Sequence, residues 1–246
     1  MKVAAYQAPL LPIGAPRAHA VGLIRQQVDW CEAQGVSILC CPEAVLGGLA
    51  DYAARPDEIA LGRRELTAAL APLASKTVIT IVGFTEAADG AFYNSVAVVH
   101  RGAVAGMYRK RHPAIRRSIY AAGDRPGVFT IDDVVFGILI CNDSNDPELA
   151  RDLAVRGATV LFVPTNNALP PDRADVVAEA RGVDEALART NRVAVVRADV
   201  SGRVDGLVSY GSTGIVGADG SLRQSVHPFT SAIVVADLSI DAAVHS

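Results

Sequence analysis

The 246-residue sequence lacks an excess of either charge. Its 23 Lys and Arg face 26 Asp and Glu, a formal net charge of −3. Both signs are scattered, with no basic stripe and no acidic tail, which argues against nucleic acid or an anionic membrane surface as partner. No apolar run reaches the roughly 18 residues that a membrane span needs. The opening stretch MKVAAYQAPLLPIG is broken by Gln7, Pro9 and Pro12. It reads as a strand and a loop, not as a signal peptide. Only four cysteines occur, Cys31, Cys40, Cys41 and Cys141. In a chain of this length without an export signal they are expected to stay reduced, which points to a cytoplasmic protein.

Other absences narrow the chemistry. There is no Walker A loop, no G-x-G-x-x-G, no H-E-x-x-H and no G-x-S-x-G, so the common phosphate, dinucleotide, zinc and serine-nucleophile signatures are missing. Cys40 and Cys41 are adjacent, and no other Cys or His lies at ligand spacing from them. They read as strand residues facing opposite sides of a sheet. No metal-ligand set is expected among them.

What the chain does have is apolar bulk. Half of it is hydrophobic but only 5% is aromatic, so Ala and Val carry the burial. Helix-like and strand-like stretches alternate, and no Gly-, Ser- or Pro-rich linker divides them; residues 1–246 read as a single domain. KVAAY, VSILCC, VITIVGF, VVFGILI, TVLFV, VAVVRADV and AIVVADL read as strands. NSVAVVH-RG-AVAGMY and STGIVGADGSLRQSV read as hairpins. Helices are expected after Pro16 up to Gly35, over Arg63–Lys76, from Pro147 to Gly157, and over Asp172–Asn191. This is an α/β chain with mixed sheets.

Three apolar strands end alike, in ILCCPE, ILICND and LFVPTNN. Each delivers polar groups just past its carboxyl end, where α/β folds usually bind ligands. Cys141 closes one of them. A free cysteine is most often a small buried hydrophobe, yet this one stands beside Asn142 and Asp143, ahead of a helix opened by Pro147. A nearby helix N-terminus would favour a thiolate, the form that attacks a carbonyl or nitrile carbon. Its base is either His112, the one histidine in a plausible site loop, or Glu43, which leaves a strand through a proline. A partly buried carboxylate has a raised pKa and serves as base and then acid. Lys110, in GMYRKRHP, offers a cation for a developing oxyanion; flanked by Arg109 and Arg111, it also reads as part of a solvated basic loop. Asn166 and Asn167 either line a pocket or form a turn, and the loop from Leu169 through Pro171 is placed to shape the substrate's far end.

With these residues in order, the sequence resembles the nitrilase superfamily of carbon–nitrogen hydrolases. CCPEAVLGG is similar to the family's Pro-Glu stretch, GMYRKRHP to its lysine stretch, and GILICNDSNDPELAR to its cysteine stretch. FYNSVAVV, LARTN, VVRADVSG and GSTGIVGADGSL are weaker matches, and the likeness runs over nearly the whole chain. The resemblance implies a four-layer α-β-β-α sandwich of two mixed sheets flanked by helices, and a homodimer or higher homo-oligomer. It implies Glu43, Lys110 and Cys141 as the catalytic set. Substrate contacts would come from Asn142, whose backbone N–H faces the oxyanion, and from Asn166 and Asn167. The substrate would be a small amide or carbamoyl compound, with a nitrile less favoured.

One departure stands out. The family usually has a second glutamate in the loop after the lysine; here RHPAIRRSIYAAGD offers Arg116 and Arg117 and no carboxylate before Asp124. Either Arg116 binds an anionic substrate, as a guanidinium suits a carboxylate, or the site is altered. Three readings therefore stand at this point: a thiol amidase or carbamoylase, a binding or regulatory subunit that keeps the fold without turnover, and a Cys–His acyltransferase using His112.

Overall fold

The computed structural model describes residues 1–114, 117–169 and 173–239. The chain starts in β1 (Lys2–Pro9), crosses α1 (Arg17–Gln34) and returns in β2 (Ile38–Cys40). Ala20, Val21, Ile24, Val28 and Cys31 recur on one face of α1 and are its buried residues. Gly35 stops the helix with φ +67°, and Val36 N–H caps the Cys31 carbonyl. After two short helices, α2 (Pro56–Ile59) and α3 (Arg63–Leu70), come β3 (Ile79–Ala88), β4 (Ala91–His100), β5 (Ala103–Arg109) and β6 (Tyr120–Ala121). The expected helix to Lys76 ends early at Leu70, and a 3-10 turn takes over at Ala71–Leu73. Pro72 is the reason: it has no N–H to continue the ladder.

The second half runs through β7 (Val128–Ile131), β8 (Val134–Ile138), α4 (Pro147–Val155), β9 (Val160–Pro164) and α5 (Val176–Asn191). It closes with β10 (Ala194–Ala198), β11 (Val200–Val204), β12 (Leu207–Ser209), β13 (Gly214–Val216), β14 (Leu222–Ser225) and β15 (Ala232–Asp237). The part of the last expected helix at Asp172 lies outside the described residues.

These strands form two mixed sheets. One has nine strands in the order β12-β11-β1-β2-β3-β4-β5, with β15 on β1 and β6 on β4. The other has six, in the order β14-β13-β10-β9-β8-β7. VAVVRADV is not one strand, as its apolar run suggests. It is β10 of the second sheet and β11 of the first, with the switch at Asp199. The buried Asp199 carboxylate accepts from Val200 N–H and Ser212 N–H, so a side chain satisfies backbone that no ladder reaches there.

Period-two alternation then builds the layers. Val3, Ala5, Ile38, Cys40, Ile81 and Val98 face Phe136, Ile138, Phe162 and Val196 between the sheets. Phe136 and Phe162 meet edge to face at 5.6 Å; full burial of such a ring is worth up to about 3 kcal/mol. The other face of the first sheet, with Leu39, Cys41 and Val82, takes Ile24 and Val28 of α1 and Leu66 and Leu70 of α3. The outer face of the second, with Leu161, Val163 and Val195, takes Leu153 of α4 and Leu187 of α5. The result is helix, sheet, sheet, helix, and Cys40 and Cys41 do face opposite sides.

Candidate active site

All three expected strand endings reach one cavity. Its volume is about 270 Å³, and Glu43, Lys110, Cys141, Asn142, Asn166 and Asn167 all line it.

Glu43 follows β2. The 42–44 segment lies so close on β3 that a Cβ at Gly83 would stand 2.5 Å from Ala44 N and 2.8 Å from Glu43 Cα. Only glycine leaves that room. The Glu43 side chain is 2% exposed. Its Oε1 accepts from Lys110 Nζ at 2.6 Å and from Asn94 Nδ2 at 2.7 Å. Oε2 accepts from Asn166 N–H at 2.9 Å.

Lys110 leaves β5 directly. Strand alternation separates it from Arg109, which turns away to a two-bond pair with Glu86 and lies over the Tyr93 ring. The basic loop therefore resolves into a buried lysine and an outward arginine. Burial by itself would push the Lys110 ammonium down, but Glu43 and then Cys141 hold it above its ordinary value.

Cys141 opens a 3-10 turn, Cys141–Asn145, between β8 and α4, with φ +46°. A left-handed backbone at a residue with a Cβ costs about 1–2 kcal/mol. The turn is braced by Asp143, which is fully buried and accepts from Ile140 N–H, Arg111 N–H, His112 N–H and Tyr108 Oη. Asp143 thus binds the cysteine turn to the segment after Lys110. The Cys141 thiol donates to Asn167 Oδ1 at 3.8 Å. Asp199 fixes that amide, taking Asn167 N–H at 3.0 Å and Nδ2 at 3.1 Å, which leaves the carbonyl oxygen for the thiol. The thiolate expected from a helix N-terminus is not the resting form: burial, and after it Glu43, push the thiol up to about 12, against Lys110 and Arg197.

Other expectations resolve differently. His112 Nε2 pairs with Asp146 Oδ2 at 3.0 Å, and the ring is half-exposed. It is not part of the cavity wall. Asn142 ties its Nδ2 to the His112 carbonyl. Arg116, Pro170 and Pro171 lie outside the described residues, and Arg117 is exposed. Val176, Ala180 and Val183 of α5 also line the cavity. Among the described residues no group of His, Cys, Asp and Glu is arranged to hold a metal ion, and no helix is long and apolar enough to cross a membrane.

The sequence reading missed Asn94 and Arg197. Asn94 sits in FYNS, noted only as a weak match. Arg197 was visible as a charged residue in the middle of VAVVRADV, since a buried strand tolerates an arginine only when it is paired.

The comparisons with known proteins agree with this architecture. A hydrolase of Pseudomonas protegens is 30% identical over 97% of this chain and 82% of its own length. The N-carbamoylputrescine amidase of Solanum tuberosum is 32% identical over 67% of this chain and 60% of that protein. A carbon-nitrogen hydrolase from Helicobacter pylori G27 superimposes with a TM-score of 0.84, covering 97% of this chain and 89% of that one at 21% identity. The carbon-nitrogen hydrolase family model matches residues 2–244. The chain therefore belongs to the carbon-nitrogen hydrolases, enzymes of the nitrilase superfamily that act on non-peptide C–N bonds.

Proposed function

We propose that the protein is a thiol hydrolase that cleaves a linear amide or carbamoyl C–N bond through an acyl-enzyme on Cys141. The observation that carries this reading is the meeting of Glu43, Lys110 and Cys141 in one cavity, with the Glu43–Lys110 contact at 2.6 Å.

Glu43 takes the thiol proton as Sγ bonds to the carbonyl carbon. The carbonyl electron pair moves onto oxygen, where the Lys110 ammonium and Asn142 N–H stabilise it. The oxyanion collapses, the C–N bond breaks, and Glu43 gives its proton to the leaving nitrogen. Ammonia or an amine departs. Glu43 then takes a proton from water, whose oxygen attacks the thioester carbon. The C–S bond breaks, the acid leaves, and the proton on Glu43 returns to sulfur. A thiol that rests protonated needs such a base within the site.

Asn94 Nδ2 and Asn166 N–H hold the Glu43 carboxylate from two sides. This supports turnover in a site where the sequence from 111 to 124 has no carboxylate before Asp124. Similarity to an N-carbamoylputrescine amidase and to an (R)-stereoselective amidase supports an amide or carbamoyl substrate for this chain ahead of a nitrile. The same reading takes residues 1–246 as one domain that pairs into a cytoplasmic homodimer.

The test is ammonia release from a panel of small amides, carbamoyl amines and amino acids, and nitriles. Turnover of at least one amide or carbamoyl compound is expected, falling to background in Cys141→Ala. Full turnover in that variant would end the proposal.

A further inference from the structure

A buried ion pair stands behind the nucleophile. Arg197 of β10 and Asp184 of α5 have side chains 3% and 1% exposed. Arg197 Nε donates to both carboxylate oxygens of Asp184, and Nη2 reaches Oδ1 at 2.6 Å. Replacing such a pair by apolar residues is often neutral or stabilising, so fold stability is a poor reason for its presence. Its remaining bonds give a better one. Nη2 also donates to Ser144 Oγ at 3.1 Å, and Nη1 to Thr165 Oγ1 at 2.8 Å.

A guanidinium only donates, and a hydroxyl has one hydrogen. Ser144 must therefore accept from Arg197 and spend its hydrogen elsewhere. It donates to the Cys141 carbonyl at 2.7 Å. Thr165 is set the same way: its hydroxyl goes to the Val163 carbonyl at 3.0 Å, and its own carbonyl receives Glu43 N–H at 3.2 Å. One guanidinium thus reaches the Cys141 turn through the Ser144 hydroxyl, and through the Thr165 hydroxyl it holds the residue whose backbone carbonyl receives Glu43 N–H. A left-handed residue such as Cys141 persists only where its surroundings over-determine it.

We propose that Arg197, locked by Asp184, is a positioning residue: through Ser144 and Thr165 it holds the nucleophile turn and the Glu43 segment in register. This rests on the reading of Cys141 as nucleophile. Arg197 also places a fixed cation near the sulfur, alongside Lys110 and against Glu43 and Asp199. Asp184, Cys141 and Asp199 act on Arg197, and Arg197 in turn acts on Cys40 and Arg181.

The experiment compares Arg197→Met, Arg197→Lys, Ser144→Ala and the double variant Arg197→Met/Asp184→Leu with the parent. Three quantities are read: Tm, kcat and KM on an amide the parent hydrolyses, and iodoacetamide labelling against pH, followed at the Cys141 peptide by mass spectrometry. The double variant should regain most of the Tm lost by Arg197→Met. Its kcat should nevertheless fall at least about tenfold with KM within about twofold, the scale expected for a misplaced reacting group. Its labelling at pH 8 should slow by about tenfold. Arg197→Lys should recover part of both. A double variant with parental kcat and parental labelling overturns the proposal. If the double variant does not fold, Ser144→Ala, which leaves the ion pair in place, decides: parental kcat and labelling there overturn it equally. If the parent hydrolyses no amide, the proposed function fails, while the labelling profiles still test the clamp.

Discussion

Removing the Lys110 ammonium tests the electrostatics of the site. In Lys110→Met the Glu43 carboxylate stays buried and keeps only neutral donors, Asn94 Nδ2 and Asn166 N–H. Breaking one side of a buried ion pair costs about 3–5 kcal/mol. For a chain of this size about 1 kcal/mol moves Tm by about 2–4 °C, so the expected loss is about 6–20 °C. The loss depends on pH in a definite direction. Without the cation, burial disfavours the charged carboxylate relative to the protonated carboxyl. The deficit is then smallest in acid, where the side chain can be buried protonated, and grows as pH rises and the unfolded chain ionises it. Thermal unfolding followed by circular dichroism at pH 5 and pH 8 should therefore show the larger deficit at pH 8. Lys110→Met/Glu43→Gln removes both charges and should recover most of the Tm at pH 8 without recovering activity. A deficit equal at both pH values, or a double variant no more stable than the single, would refute the reasoning.

Further outcomes rest on the same geometry. Gly83→Ala forces the Pro42–Ala44 backbone away from β3 and displaces Glu43; kcat should fall by about 10², measured beside Tm to separate misplacement from unfolding. In the parent protein the thiol is pushed up to about 12, so iodoacetamide labelling of Cys141 should keep rising from pH 7 to pH 10; a plateau below pH 8 would contradict it. His112→Ala removes a surface pair with Asp146 and should leave kcat/KM within about threefold. A loss beyond about a hundredfold would restore the Cys–His reading.

The layered fold was readable because burial leaves a periodic trace. Val21, Ile24, Val28 and Cys31 announce the face of α1, and Gly35 its end. The runs ILCC, ILIC and LFVP mark strands covered on both sides, and the polar residues just beyond each run reach the cavity. The errors have different causes: a tertiary partner overrules the local pattern in one, and a proline inside the window breaks it in the other. VAVVRADV is apolar throughout most of its length, but the Asp199 carboxylate lets the chain leave one sheet and join the other. Arg63–Lys76 is helical in pattern, yet Pro72 withdraws a donor. Glu43 and Lys110 were legible as strand-end residues. Their 2.6 Å contact was not, because 67 positions separate them and no local pattern records the register between strands. Arg197 was passed over for the same reason: its partners Asp184, Ser144 and Thr165 come from three different segments.

The central claim is that Cys141 carries the acyl group. Its most direct test is mass spectrometry of the parent protein quenched in acid during turnover of an amide or carbamoyl substrate that releases ammonia. The account predicts the mass of the acyl group on the peptide containing Cys141, absent from Cys141→Ala. Continued ammonia release with that peptide unmodified, or with the acyl group on another side chain such as that of His112, would contradict it.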